Sequence, residues 1–219
     1  MPGPEPPDRR SPCTAPPWRM NVPTIICPYN RDLLQGLKGH DLALRVDRLD
    51  QAAPAAADVR NSGNKLLCVI VETGLPLDKI DPGDGLAGVP LVIIPGSFGT
   101  FRGLVRHIGT LQGLDVTIHL PCDSPANIAG LRILSSLGIR CCAVLGKGAQ
   151  DWEALADLMT YAVLGPLPHA PIEPFSYIAS HYEPSSYLQW DFLYFNDGGR
   201  FLHVDQEGPL AGSRSGSKD

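Results

Sequence analysis

The sequence predicts an α/β protein, a partial parallel (β/α) barrel with a C-terminal antiparallel β-hairpin, and three observations carry that expectation. Apolar strand-like runs end at Pro95, Pro121 and Gly146, so the strand ends fall 26 and 25 residues apart. Each end is followed by a Gly/Ser/Pro-containing loop and a helical pattern, which makes the three stretches successive βα units. Crossovers between neighbouring parallel strands are nearly always right-handed, and a row of such units curls the sheet toward a barrel. Finally, the texture changes after Gly165, and Asn196-Asp197-Gly198-Gly199 separates two strand-like runs, 191–195 and 200–204, as a hairpin turn does.

The clearest unit runs from Gly113 to Gly138. Leu114 to Leu120 is rich in β-branched and apolar residues and stops at Pro121, which reads as a strand. Ser124-Pro125 then supplies an N-cap and a proline at the first helical position. Ile128, Leu131, Leu134 and Leu137 recur near helical spacing, and Gly138 closes the helix.

From the N-terminus, residues 1–21 hold seven prolines and no periodicity, and read as a disordered arm. The barrel domain is expected over 22–205 and a second disordered tail over 206–219. Val22 to Cys27 makes a first strand, with a helical turn through Asp32-Leu33-Leu34. Residues 40–64 give no firm element, and AAPAAAD reads as a loose connection. Lys65 to Glu72 is a continuous apolar run suited to a strand buried on both faces. The stretch from Gly74 to Gly88 is a loop by its turn formers, and Val89 to Ile94 is the next strand. Helices follow over Thr100 to Leu111, Pro125 to Leu137 and Asp151 to Leu164. In the last, Asp151 caps, and Trp152, Leu155, Leu158, Met159 and Ala162 make the apolar face. The count is about five parallel strands.

Eighteen Lys and Arg stand against 23 Asp and Glu, a net charge of −5, so no electrostatic footprint for nucleic acid or an anionic membrane exists. Neither is expected as a partner. No run of eighteen apolar residues occurs, and the N-terminus has no apolar signal-peptide core. The expectation is a soluble, cytoplasmic protein. Its cysteines, Cys13, Cys27, Cys68, Cys122, Cys141 and Cys142, lie mostly in apolar runs and act there as small hydrophobes, without structural disulfides.

The strand-end loops PGSFG and PCDSPAN, the phrase LRILSSLGI, the helix DWEALADLMTYA and the closing HAPIEPF…YFNDGGRFLHVD give the chain a family texture. From Val22 to Asp205 it resembles the partial barrel and C-terminal hairpin of radical SAM/SPASM-type peptide maturation proteins. The family's CxxxCxxC triplet is missing, Cys27 stands alone where that loop begins, and no cysteine follows Cys142. Iron–sulfur clusters need several thiolates each. The resemblance therefore implies a cluster-less relative with no cofactor and no metal, and no family catalytic residue carries over. It implies a non-catalytic accessory protein that binds a precursor peptide or the radical SAM maturase itself.

Two sets of candidate residues follow. Strand-end loops converge on one face of any parallel α/β assembly, which makes Ser97, Thr100, Asp123, Ser124, Asn127 and Lys147 a polar mouth. His169, Glu173, His181 and Tyr182 lie on the late connection that covers the barrel end or receives a peptide. Prolines at 168, 171 and 174 rule out helical metal-ligand spacing there. Tyr177, Tyr187, Trp190, Tyr194 and Phe195 add aromatic area, either for contact or to seal the barrel.

The alternative is a small enzyme. Cys122 follows a strand and precedes a helix N-terminus, where the helix dipole lowers a thiol pKa, and His119 or His169 would serve as its base. Asp123 opposes that effect. A cysteine simply packed at a strand end is the other reading of the same position.

Overall fold

A computed structural model describes residues 23–73, 85–96, 102, 106–146, 151–165, 168–185, 188, 191–195, 200–205 and 208–209. The chain opens with β1 (Thr24–Pro28), α1 (Arg31–Gly36) and β2 (Asp41–Val46), then a 3-10 turn (Leu49–Gln51), α2 (Ala52–Asn61) and β3 (Lys65–Thr73). Next come β4 (Leu91–Pro95), α3 (Ile108–Gln112), β5 (Val116–Pro121), α4 (Pro125–Ser136) and β6 (Arg140–Val144). It closes with α5 (Trp152–Leu164), β7 (Ile172–Glu173), α6 (Phe175–His181), a 3-10 turn (Asp191–Tyr194), β8 (Phe201–Asp205) and β9 (Gly208–Pro209).

The strands form one sheet in the order β7-β6-β5-β4-β3-β2-β1-β8-β9. All neighbours from β7 to β8 are parallel, and β9 alone runs antiparallel, against the end of β8. The protein is thus α/β with eight parallel strands, three more than the sequence count. The extra strands are β2, the two-residue β7 and β8. β2 and α2 were hidden because DLALRV is short and the alanine run carries Pro54. That proline occupies the third position of α2, where backbone N–H groups have no intrahelical acceptor in any case, so it costs the helix nothing. Ala52, Ala55, Ala56 and Val59 are its buried residues, and their small side chains let the helix lie close on the sheet.

The expected C-terminal hairpin is not formed. Its first arm is the 3-10 turn over Asp191–Tyr194, and its second, β8, pairs in parallel with β1 through Thr24↔Phe201 and Ile26↔His203. Parallel pairing with β8 covers the edge of β1. The hairpin turn itself, 196–199, lies outside the described residues, as does the arm 1–21, whereas within the tail 206–219 read as disordered Gly208–Pro209 forms β9 against the end of β8.

Every described helix that contributes to the core does so on one face of the sheet. Ile25, Leu44, Val69, Ile93, Ile118 and Ala143 from the strands meet Leu34, Val59, Leu111, Ile128, Leu131 and Leu158 from the helices. From β1 to β7 the strand order never reverses, and right-handed crossovers then put the described crossover helices on the same side. α4 matches its sequence reading: Ser124 caps it, accepting from the Asn127 N–H at 3.3 Å, and Gly138 follows with φ 81, a left-handed backbone that suits glycine. α5 also begins after its Asp151 cap, which accepts from the Ala154 N–H at 3.0 Å. Its apolar face is narrower than expected, since Leu155, Leu158 and Ala162 are buried while Trp152 and Met159 are 73% and 50% exposed. At about 100° per residue those two fall at the margins of the arc the sheet covers. Among the described residues no helix is long and apolar enough to cross a membrane.

Candidate functional site

Side chains alternate across a strand, so the ladder fixes what the face opposite the described core helices carries. Ile26, Ala43, Cys68, Ile70 and Val92 form a small apolar cluster there, with Phe195 and Phe201 packed against it. A register shift at Leu42/Ala43 sets Ala43 opposite Cys68 and Arg45 opposite Ile70, which places Arg45 on this face. Val92 pairs with Thr117, so Thr117 and His119 lie on it too. His119 pairs with Cys142 and Cys142 with Glu173, giving one row across β5, β6 and β7. His203 joins them as the partner of Ile26.

The face is concave. The Phe195 ring stacks on His119 with centroids 6.2 Å apart and meets Phe201 edge-on at 5.4 Å. His119 is on β5 and Phe201 on β8, five strand spacings away, which would be about 24 Å in a flat sheet. One aromatic ring cannot bridge that distance, so the sheet bends around it. Tyr194, one residue earlier, donates its hydroxyl to the Ala143 carbonyl of β6 at 2.8 Å. Phe195 itself holds φ 59, a left-handed backbone that is unfavourable for a bulky side chain and is retained by these contacts on both sides.

Burial governs the electrostatics of the row. His119 is 6% exposed, its ring nitrogens have no hydrogen-bond partner among the described residues, and burial pushes its pKa down to about 4. The imidazole is neutral at pH 7. Cys142 is raised far above an ordinary thiol, first by burial and then by Glu173, Cys141 and Cys122. Burial also raises Glu173, against the opposing influence of the Tyr177 N–H, which donates to its Oε2 at 2.9 Å, and of His181. Across the concavity, Arg45 Nη2 lies 3.1 Å from His203 Nδ1, and His203 Nε2 lies 2.9 Å from the Phe195 carbonyl.

The residues singled out in the sequence fall in several places. Cys122 packs into the helix-side core with Leu120, on the far side of the sheet from His119. Burial, and secondarily Asp123, pushes its thiol up to about 11, so the helix N-terminus does not generate a thiolate. His169 precedes β7 and so sits at the other end of the strands. Its Nδ1 lies 3.2 Å from Ser135 Oγ and 3.0 Å from the Ala170 carbonyl, with the ring stacked on Tyr161 at 4.8 Å. Neither proposed base reaches Cys122, and the nucleophile-base pairs are not assembled.

Asp123, Ser124 and Asn127 do gather at the C-terminal end of β5, but they bond one another: Asn127 Nδ2 donates to Asp123 at 2.9 Å while Ser124 caps α4. His181 stacks on Tyr177 at 4.2 Å at the end of α6, and Tyr182 beside it is 66% exposed. Ser97, Thr100, Lys147, Tyr187 and Trp190 lie outside the described residues. Sequence reading missed Arg45 and His203 as site residues and took Cys142 as plain core. The available signal was a polar residue at an alternating position within DLALRV and FLHVD.

Cys27, Cys68, Cys122, Cys141 and Cys142 are all free and buried, and no cluster of His, Cys, Asp or Glu among the described residues could hold a metal ion. Fold and site together define a parallel α/β protein whose concave face is apolar over much of β1 to β4 and carries His119, Cys142 and Glu173 over β5 to β7. No family model matches the chain, and no curated protein or solved structure matches it at a significant level.

Proposed function

We propose that the chain is a binding module shaped as an eight-strand parallel (β/α) barrel, open between β7 and β8, that takes its ligand at the concave face. Strand order that is consecutive from β1 to β7, described core helices on one side and the bend around Phe195 support the barrel. In this reading it is a cytoplasmic, non-catalytic accessory protein of a peptide-modification system, holding a precursor peptide or a radical SAM maturase. One observation carries the preference for binding over catalysis. The titratable groups side by side on β5 and β6 are a weakly basic neutral His119 and a protonated Cys142, and Cys122 lies on the other face. The radical SAM connection rests on the sequence texture described above.

Native co-purification of the full chain tests the proposal. Recovery with a small peptide or a radical SAM enzyme is the expected result. A monodisperse lone protein that turns over a small molecule would overturn it.

A further inference from the structure

We infer that Arg45, held in place by His203, is the receptor for a single oxyanion of the ligand, a carboxylate or a phosphate presented to the concave face. The inference rests on the binding reading above and gives the ligand a chemical class. Arg45 is half-buried near the C-terminal end of β2, the end of a parallel sheet at which ligands are bound. Its only hydrogen-bond partner among the described residues is His203, and no carboxylate there lies within 4.0 Å of it. Arg31, Arg48, Arg132 and Arg140 each have an aspartate at that range.

The identity of the partner matters. The Phe195 carbonyl can only accept, so His203 Nε2 carries the proton, and Nδ1 is left to accept from Arg45. A neutral imidazole therefore anchors the guanidinium without cancelling its charge. An arginine with a purely structural role is more cheaply held by a carboxylate, because a partly desolvated charge without a counter-ion costs stability. Among the described residues one of its five N–H donors is engaged, and the planar fork that remains matches the two oxygens of a carboxylate or phosphate.

Glu72 stands beyond Ile70 on the same face and does not pair with Arg45. Its carboxylate would repel a polyanion. The site thus selects an isolated oxyanion and rejects a nucleic-acid backbone or polyphosphate.

The test is an NMR titration of the full chain with acetate and, separately, inorganic phosphate, with chloride at equal ionic strength as control. The Arg45 Nε–H and His203 ring signals are read. A saturable shift with either oxyanion and none with chloride is expected, and the tighter of the two assigns carboxylate or phosphate. Arg45→Gln should abolish saturation, and Arg45→Lys, which keeps the stem and charge, should weaken it about 10-fold by losing the bidentate fork. If Arg45→Gln fails to fold, the lysine variant decides. Unsaturable shifts with both anions, or affinity unchanged in Arg45→Lys, would overturn the inference. Oxyanion binding without any recovered peptide would instead retire the peptide reading and leave Arg45 as the receptor. Undiminished peptide recovery by Arg45→Lys would do the reverse.

Discussion

The two faces of the sheet follow opposite rules. Toward the helices, strand residues such as Leu44, Ile93 and Ile118 are sealed by Leu111, Leu131 and Leu134, all of them 0% exposed. On the concave side, apolar packing covers β1 to β4 with Ile26, Ala43, Cys68, Ile70 and Val92, then gives way to His119, Cys142 and Glu173 on β5 to β7 and to His203 on β8. Burial of apolar area is the main source of folding free energy, so the helix side holds the fold together. The concave side gives up part of that contribution and carries polar groups instead. In the proposed reading, stability and recognition are thereby separated by the thickness of one sheet.

Truncations on the two faces should differ. Leu131→Ala opens a cavity in the sealed layer and should cost about 2–5 kcal/mol. Val92→Ala, on the smaller concave cluster and 8% exposed, should cost about 1.5 kcal/mol for two methyl groups that partly face open space. Urea unfolding of both variants measures the gap. Equal losses would mean that the concave face is packed as tightly as the other and is no mouth.

His119 gives that comparison a pH dependence. Its folded value of about 4 lies below the ordinary 6.5, so between those values the unfolded chain binds a proton that the folded chain does not. Stability is fully present above pH 6.5 and falls as the pH drops toward 4, by up to about 3 kcal/mol. Glu173 acts with the opposite sign, its raised value favouring the folded state in acid and losing that effect as the pH climbs. Comparing wild type with His119→Phe isolates the histidine. The variant should flatten the acid side of the stability curve, and an unchanged curve would place His119 in contact with water.

Thiol reactivity sharpens the contrast further. With Cys122 and Cys27 pushed up to about 11, and Cys68 and Cys141 to about 12, mainly by burial, these four thiols should label slowly at neutral pH and quickly only on unfolding. A fast-labelling Cys122 in the folded chain would restore the enzyme alternative.

What the sequence disclosed tracks the same division. The helix side was legible because periodic apolar residues and caps such as Ser124 and Asp151 announce themselves locally. β8 was misread because NDGG, between two strand-like runs, is a hairpin signal in local chemistry, whereas the open edge of β1 that captures Phe201–Asp205 is a tertiary fact. The concave site was illegible for the same reason. Arg45 and His203 lie 158 residues apart, and only the strand order brings them together. Cys122 looked reactive from its place before a helix, but which face of the sheet received it could not be seen from its neighbours.

The separation of the two faces depends on the sheet bending until β5 and β8 share Phe195. Proton–proton NOEs from the Phe195 ring in the full chain measure this directly. Cross-peaks to both the His119 ring and the Phe201 ring are the predicted result. Cross-peaks to Phe201 with none to His119 would mean that the sheet lies open, and would contradict the account.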